Sequence, residues 1–432
     1  MKLVVTSDLH FGDPACALVR SAPGAEAQVG PAYGRFLEAA GTGNDYLVLL
    51  GDVFDFSIAD YADAYAAARA FFLRVRDDGI AREVIYVPGN HDFGFWHVTM
   101  HEANVINRVR RFRRPRSRWA VPGVVDDRRN AERRGFRLPY VTPHARDEAG
   151  APRYGGLFLD HLSMRPGDAA GSGLRFNVAY PNVYLVTDRG ECILLTHGHY
   201  FEGYFAAAGE VSRAIAGADL AFAAGGPDID ELVGLNFPLN ELASSGIGQA
   251  GPLTPVLRAV QKEINAGALD RVPRYLDRAV EALDGLLVFP WTKPYLEWIT
   301  DAGLQKVRAL VLERLGVRTP PRFDGGFAAR PEVSARIEGY LGAVALELAK
   351  LNGEPHGCGL PAVERLIFGH THEAVVPGGD PPPAVKLPSG VSLPAWNTGG
   401  WLLRPGAEPG SIPVGAAVFR YETGAGFSSV VV

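Results

Sequence analysis

Five short stretches of the chain carry the residue types that hold metal ions. They read Asp8-Leu9-His10, Gly51-Asp52-Val53-Phe54-Asp55, Gly89-Asn90-His91-Asp92, His197-Gly198-His199 and Gly369-His370-Thr371-His372. The donors are carboxylate, imidazole and amide oxygen, with no thiolate. Such a set suits Mn, Fe or Zn, and its imidazoles argue against Mg or Ca alone. Taken singly, each stretch is ordinary turn chemistry, since Gly, Asn and Asp favour turns. The weight lies in their number and in what precedes each one.

Each stretch directly follows a short aliphatic run. The runs are Lys2-Leu3-Val4-Val5, Tyr46-Leu47-Val48-Leu49-Leu50, Val84-Ile85-Tyr86-Val87, Cys192-Ile193-Leu194-Leu195 and Leu366-Ile367-Phe368. They are continuous rather than alternating, as strands buried on both faces are. A helical stretch from Tyr61 to Arg76, rich in Ala and aromatics, lies between early runs, and that alternation is the pattern of an α/β sheet. Functional groups of such sheets gather at the carboxyl ends of the strands. The five loops are therefore expected to converge on one site, although they span most of the chain.

Composition sets the frame. The 432 residues carry 43 Lys+Arg against 48 Asp+Glu, a formal net charge of −5, with 47% hydrophobic and 21% charged residues. That is the make-up of a soluble globular protein with a large core, and it excludes a disordered chain, a coiled coil or a collagen-like repeat. The length implies two or three domains, or one domain with large insertions. Cys16, Cys192 and Cys358 are too few and too scattered for a disulfide framework or a zinc ribbon, which favours a reducing compartment. Asp8 interrupts the N-terminal apolar run before a targeting segment forms, and no apolar stretch of about 18 residues occurs. The expectation is a soluble, cytoplasmic protein with no transmembrane segment.

The order Asp-x-His, Gly-Asp-x-x-Asp, Gly-Asn-His-Asp, His-Gly-His, Gly-His-x-His resembles the calcineurin-like metallophosphoesterase superfamily. The resemblance implies a four-layer αββα core of two facing mixed sheets. It also implies two divalent metal ions. Asp8, His10, Asp52 and His372 would hold one, and Asp52, Asn90, His197 and His370 the other, with Asp52 bridging. In the fourth motif His197 or His199 could be the ligand, and His197, first after the strand, is preferred.

General chemistry supports these roles. Two cations about 3.5–4 Å apart can share a bridging hydroxide and clamp the attacking and leaving oxygens of an in-line displacement at phosphorus. His91, beside Asn90, is placed to protonate the leaving alkoxide as general acid. Asp55 or Asp92 would orient that imidazole, and the family pattern favours Asp55. Within the superfamily, the protein Ser/Thr phosphatases carry Arg-Gly after the second motif and Glu after Gly-Asn-His, unlike this chain. Leu49 to Phe56 and Asn397-Thr398-Gly399-Gly400-Trp401 are similar to UDP-2,3-diacylglucosamine hydrolase-like members, with His91 and Glu373 standing where those carry Arg.

The motif-bearing core covers 1–100, 180–200 and 362–432, leaving an Arg-rich insertion at 101–179 and a mostly helical cap insertion at 201–361. Residues 107–137 hold twelve arginines against Asp126, Asp127 and Glu132. This is a solvated face, an anion funnel for a phosphorylated substrate, or a patch for nucleic acid or anionic lipid. In the second insertion, apolar stripes begin at Thr254-Pro255, at Leu304 and at Val333, and the aromatic stretch Phe289 to Ile299 suits a buried core, an acyl pocket or peripheral membrane contact. His97, His101, His144, His161 and His356 follow no strand-like run and are not counted as ligands.

The leading expectation is a metal-dependent phosphoesterase acting on a phosphodiester, phosphomonoester or pyrophosphate of a small molecule or lipid. The alternatives are a nuclease-type phosphodiesterase that uses the arginine run, and a non-catalytic binding scaffold. Loss of ligands or of His91 would mark the scaffold, and neither loss is seen.

Overall fold

All five aliphatic runs form strands in the protein, here a computed structural model. It describes residues 1–20, 26–128, 140–141, 158–159, 161–169, 172–203, 205–206, 227–241, 323–354, 357, 359–378, 382–403 and 415–432. The chain divides into two compact units, one of Met1–Ala250 with Gly325–Val432 and one of Gly251–Asp324. Everything below concerns the first unit. The stripes from Thr254 and Leu304 and the aromatic stretch at 289–299 lie outside the described residues.

The first half of the chain gives β1 (Lys2–Thr6), a hairpin of β2 (Val19–Arg20) and β3 (Gln28–Val29), α1 (Tyr33–Ala40), β4 (Asn44–Leu50), α2 (Tyr61–Asp77), β5 (Ala81–Val87), α3 (Phe93–His101) and α4 (Asn107–Arg110). Next come β6 (Gly123–Asp126), β7 (Tyr140–Val141), β8 (Arg175–Val178), β9 (Asn182–Val186), β10 (Cys192–Thr196) and α5 (Ile229–Glu241). The rest supplies α6 (Pro331–Gly353), β11 (Val363–Phe368), β12 (Ala374–Val375), β13 (Ala384–Lys386), β14 (Ser392–Thr398), β15 (Ala417–Glu422) and β16 (Gly426–Val431).

Two mixed sheets result, ordered β16-β15-β1-β4-β5-β8-β7 and β12-β14-β11-β10-β9-β6, with β13 paired on β14. Within them, β1, β4 and β5 run parallel as neighbours, and so do β10 and β11. The strands' continuous apolar runs reflect burial on both faces. Leu3, Val5, Val48, Leu50, Ile85 and Val87 meet Val183, Leu185, Ile193, Leu195 and Ile367 of the other sheet in one core. Val4, Leu47, Leu49, Val84 and Tyr86 point the opposite way, into a second core shared with Phe36 of α1 and Ala68, Phe71 and Phe72 of α2.

The outer face of the second sheet is covered likewise. Leu194, Leu366 and Phe368 share that core with Ile337, Tyr340, Val344 and Leu348 of α6. The layers are therefore helix, sheet, sheet, helix, as expected. The stripe read from Val333 is α6, begun by Pro331 in its first turn, where the missing N–H costs nothing. Strands β6, β7 and β8 lie in 101–179 and α6 lies in 201–361, so those stretches contribute to the layers as well. The strands escaped the sequence reading because a run such as Val124-Val125 is too brief for a period to show. No described helix is long and apolar enough to cross a membrane.

Candidate metal centre

The carboxyl ends of parallel strands from both sheets bring the five loops together. Backbone bonds lock them: Asp8 N–H donates to Gly51 O at 3.0 Å, His10 N–H to Asp52 O at 2.9 Å, and Gly369 N–H to His197 O at 3.0 Å. Asp8, His10, Asp52, His370 and His372 all have left-handed backbones, with φ of 54, 50, 51, 74 and 56°. Non-glycine residues adopt that region at a cost of about 1–3 kcal/mol each, and such strain collects at functional sites. Glycine is required beside them: a Cβ on Gly51, whose φ is +85°, would stand 2.4 Å from His197 Nδ1.

Asp8, His10, Asp52 and His372 form one cluster whose ligating atoms all lie within 4.8 Å of one another. His10 Nε2 and His372 Nε2 are 3.0 Å apart, and Asp8 Oδ1 is 3.3 Å from the latter. His10 uses its other nitrogen, Nδ1, to donate to Asp55 Oδ2 at 2.9 Å, so Nε2 turns a lone pair inward. Asp8 is further held by Ser7 Oγ and by the His370 N–H, the latter 3.0 Å from its Oδ2.

The second cluster is Asp52, His197 and His370. His197 Nδ1 donates to Leu50 O at 2.7 Å, and its Nε2 faces Asn90 Oδ1 at 2.9 Å and Asp52 Oδ2 at 3.2 Å. His370 repeats the pattern with the nitrogens exchanged, its Nε2 on Glu202 Oε2 at 2.9 Å and its Nδ1 3.0 Å from Asn90 Oδ1. Two ring nitrogens, an amide oxygen and a carboxylate oxygen thus converge on one point, a donor set that suits a divalent cation once the rings give up their protons.

Asp52 joins the clusters. Its Oδ1 accepts the His91 N–H at 2.8 Å. Its buried Oδ2 has no hydrogen-bond partner among the described residues, and it lies 3.2 Å from His197 Nε2 and 3.8 Å from His10 Nε2. Burial pushes the Asp52 carboxyl up, but the charges of His197, His91 and His10 prevail and hold it well below the usual range. The converse acts on His197: burial pulls its pKa down, and the Asp52 and Asp8 charges drive it up to about 9. The residues present fit a pair of divalent cations.

Next to the first cluster, His91 stands with its ring centroid 4.9 Å from that of His10. Its Nδ1 lies 2.8 Å from Asp55 Oδ1 and 2.8 Å from Ser57 Oγ. Asp55 thus anchors His10 and His91 at once. Burial opposes its ionisation, yet the His91 charge and the bonds from both imidazoles hold it well below the carboxylate range.

Asp92 does different work from the orienting role weighed for it. Its carboxylate accepts from Val53 N at 2.8 Å, Gly89 N at 2.5 Å and Tyr86 OH at 2.6 Å, tying two loops together away from the His91 ring. Burial and the nearby Asp52 charge push its pKa up to about 6. His199 is in neither cluster: its Nε2 is 3.1 Å from Tyr180 OH, and burial together with the His197 and His370 charges keeps it neutral. The geometry brings His197, and not His199, to Asp52.

Glu202 and Ser57 were missed by the sequence reading. Glu202 belongs to no motif, and its position five residues beyond His197 carries no signal. Ser57, two residues after Asp55, looks like any turn serine. His97 pairs with Glu241 at 3.3 Å, away from the clusters.

Residues 1–163 match the family model described as calcineurin-like phosphoesterase. With the layered sheets and the buried Asp/His cluster, this match supports the metallophosphoesterase superfamily. It ends before His197, His370 and His372, so the last two motifs rest on the fold that brings them to Asp52. No curated protein matches the chain.

Proposed function

We propose that this chain is a dinuclear-metal phosphoesterase that cleaves a phosphodiester, phosphomonoester or pyrophosphate bond in a small-molecule or lipid-linked substrate. The observation that carries the reading is Asp52, one oxygen held by a backbone N–H and the other turned toward both clusters. Asp8, His10, Asp52 and His372 would hold one ion, and Asp52, Asn90, His197 and His370 the other, with Mn, Fe or Zn suited to the donors. Divalent ions bound there supply charge to the phosphoryl oxygens and lower the pKa of the attacking water.

The chain's own residues do the rest. Asp55 and Ser57 fix His91 through Nδ1, and its Nε2 would hand a proton to the leaving oxygen. Asp55, held ionised, favours the protonated ring. Glu202 and the Leu50 carbonyl fix the tautomers of His370 and His197. Phe205 and Phe327, both buried, stand with their rings 5.9 and 6.0 Å from that of His370 and pack the imidazole in place.

The test is hydrolysis of bis-p-nitrophenyl phosphate beside p-nitrophenyl phosphate with added Mn, Fe or Zn. Metal-dependent turnover of either is expected, with a loss in His91→Ala that is smaller than on an alkyl ester because nitrophenolate leaves with little help from a proton donor. Turnover of neither with any of the three metals would count against the reading.

A further inference from the structure

The arginine run contains a feature that the proposed reaction does not use. Between Glu102 and Asp126 the chain has no acidic residue and seven arginines, at 108, 110, 111, 113, 114, 116 and 118. In their midst Phe112 is 100% exposed, and Val109, one turn earlier, is 53% exposed. Soluble proteins leave single apolar side chains at the surface often enough. Phe112 is different because its backbone is also left-handed, at φ 52°. A position of that kind favours Gly or Asn, so folding alone gives no reason for a phenylalanine there.

The tip is nevertheless well held. Phe112 N–H donates to Val109 O at 2.9 Å and Arg113 N–H to Arg108 O at 2.8 Å, closing α4. Arg108 Nε reaches Arg114 O at 2.7 Å, and Arg116 Nε reaches Asn104 Oδ1 at 3.0 Å. At the base, Trp119 N–H and Ala120 N–H both donate to Asp230 Oδ1, at 2.7 and 2.8 Å, while Trp119 O accepts from Trp96. A fixed base presents a tip that carries an apolar point within an arginine-rich segment.

We infer that the 108–118 tip docks on an anionic lipid bilayer, with Phe112 and Val109 entering the interface and the surrounding arginines meeting lipid phosphates. Guanidinium groups match phosphate oxygens in bidentate fashion, and each cation near an anionic leaflet adds to the attraction. An aromatic ring is at home at the headgroup level, where its apolar body leaves water. Nucleic acid shares the phosphate chemistry, but base stacking uses several aromatic faces along a groove. Here one ring stands fully exposed at a turn. The inference is independent of what the metal centre hydrolyses.

The experiment is co-sedimentation of the full chain with vesicles of phosphatidylcholine alone, or of equal parts phosphatidylcholine and phosphatidylglycerol. Binding to the anionic vesicles only, abolished at about 1 M salt, is expected. Phe112→Gly suits the left-handed backbone and should fold at least as well, as a thermal melt will show. It should nevertheless bind anionic vesicles about tenfold more weakly, while Phe112→Trp binds as the native chain does. A joint change of Arg110, Arg111, Arg113 and Arg114 to Gln should remove binding. Absence of binding to anionic vesicles, or equal binding by native protein and Phe112→Gly, would overturn the proposal. So would displacement of the vesicles by a mixed-sequence DNA duplex at a lower concentration, which would assign the tip to nucleic acid.

Discussion

Asp52 Oδ2 stands 3.2 Å from His197 Nε2, two buried groups from different sheets that meet where no hydrogen bond satisfies the carboxylate oxygen. This juxtaposition of ligand atoms, with Asp52 on a left-handed backbone, is held at a cost that a bound cation would offset. Metal ions that bind the folded state alone add stability by mass action, about 2.7 kcal/mol at a concentration one hundred times the dissociation constant. Chelation should therefore lower the melting temperature, and Mn or Zn should restore it. A melt indifferent to chelator and metal would speak against the site.

Glu202 accepts or shares a proton with His370 through a 2.9 Å contact. Carboxylate partners of this kind orient a ligand imidazole, and their loss weakens metal affinity by about 10- to 100-fold. Glu202→Ala should show that loss in one class of sites by calorimetric titration, while the Asp8, His10 and His372 cluster keeps its ion. Uniform weakening of both classes would indicate a general loosening of the fold.

The His91–Asp55 pair predicts a dependence on the leaving group. A proton donor matters most when the departing oxygen is a poor leaving group. His91→Ala should therefore lose more activity on an alkyl phosphodiester than on the nitrophenyl one. Asp55→Asn should follow it and also weaken metal binding, since Asp55 holds His10 through its other oxygen at 2.9 Å. Equal losses on both esters would remove His91 from the proton-donor role.

How far the sequence led differs from residue to residue. The five strands were legible because burial on both faces makes continuous aliphatic runs, and the ligands were legible because each loop follows its strand at once. Between His197 and His199 the sequence offers only position, His197 being first after the strand, and the fold adds that the His197 ring turns toward Asp52 while Tyr180 engages His199. Glu202 became visible through a contact 168 residues along the chain, which no local pattern encodes. Asp92 adjoins His91 in sequence while Asp55 stands 36 residues away, and the fold alone shows that Asp55 meets the His91 ring whereas Asp92 is engaged with Tyr86 and the loop backbones.

A buried carboxyl outside the metal centre gives a pH test of stability. Glu347 of α6 accepts from Tyr184 OH at 2.5 Å and Asn182 Nδ2 at 3.3 Å, and burial raises its pKa from 4.5 to about 7 against those bonds. A carboxyl whose pKa is higher in the folded state stabilises the fold below its unfolded pKa of 4.5 and loses that contribution as pH rises through about 7. The loss amounts to about 3 kcal/mol. Native protein should lose stability relative to Glu347→Gln between about pH 5 and 8 in paired thermal melts. Parallel profiles would show that Glu347 stays ionised in the fold.

The most direct measurement is the metal content per chain, by mass spectrometry of protein loaded with Mn and freed of excess, for native protein and Asp52→Asn. Two ions per native chain are expected, with both weakened together in the variant because one carboxylate serves both. A single ion per chain, or a variant that keeps two ions at native affinity, would contradict the dinuclear centre.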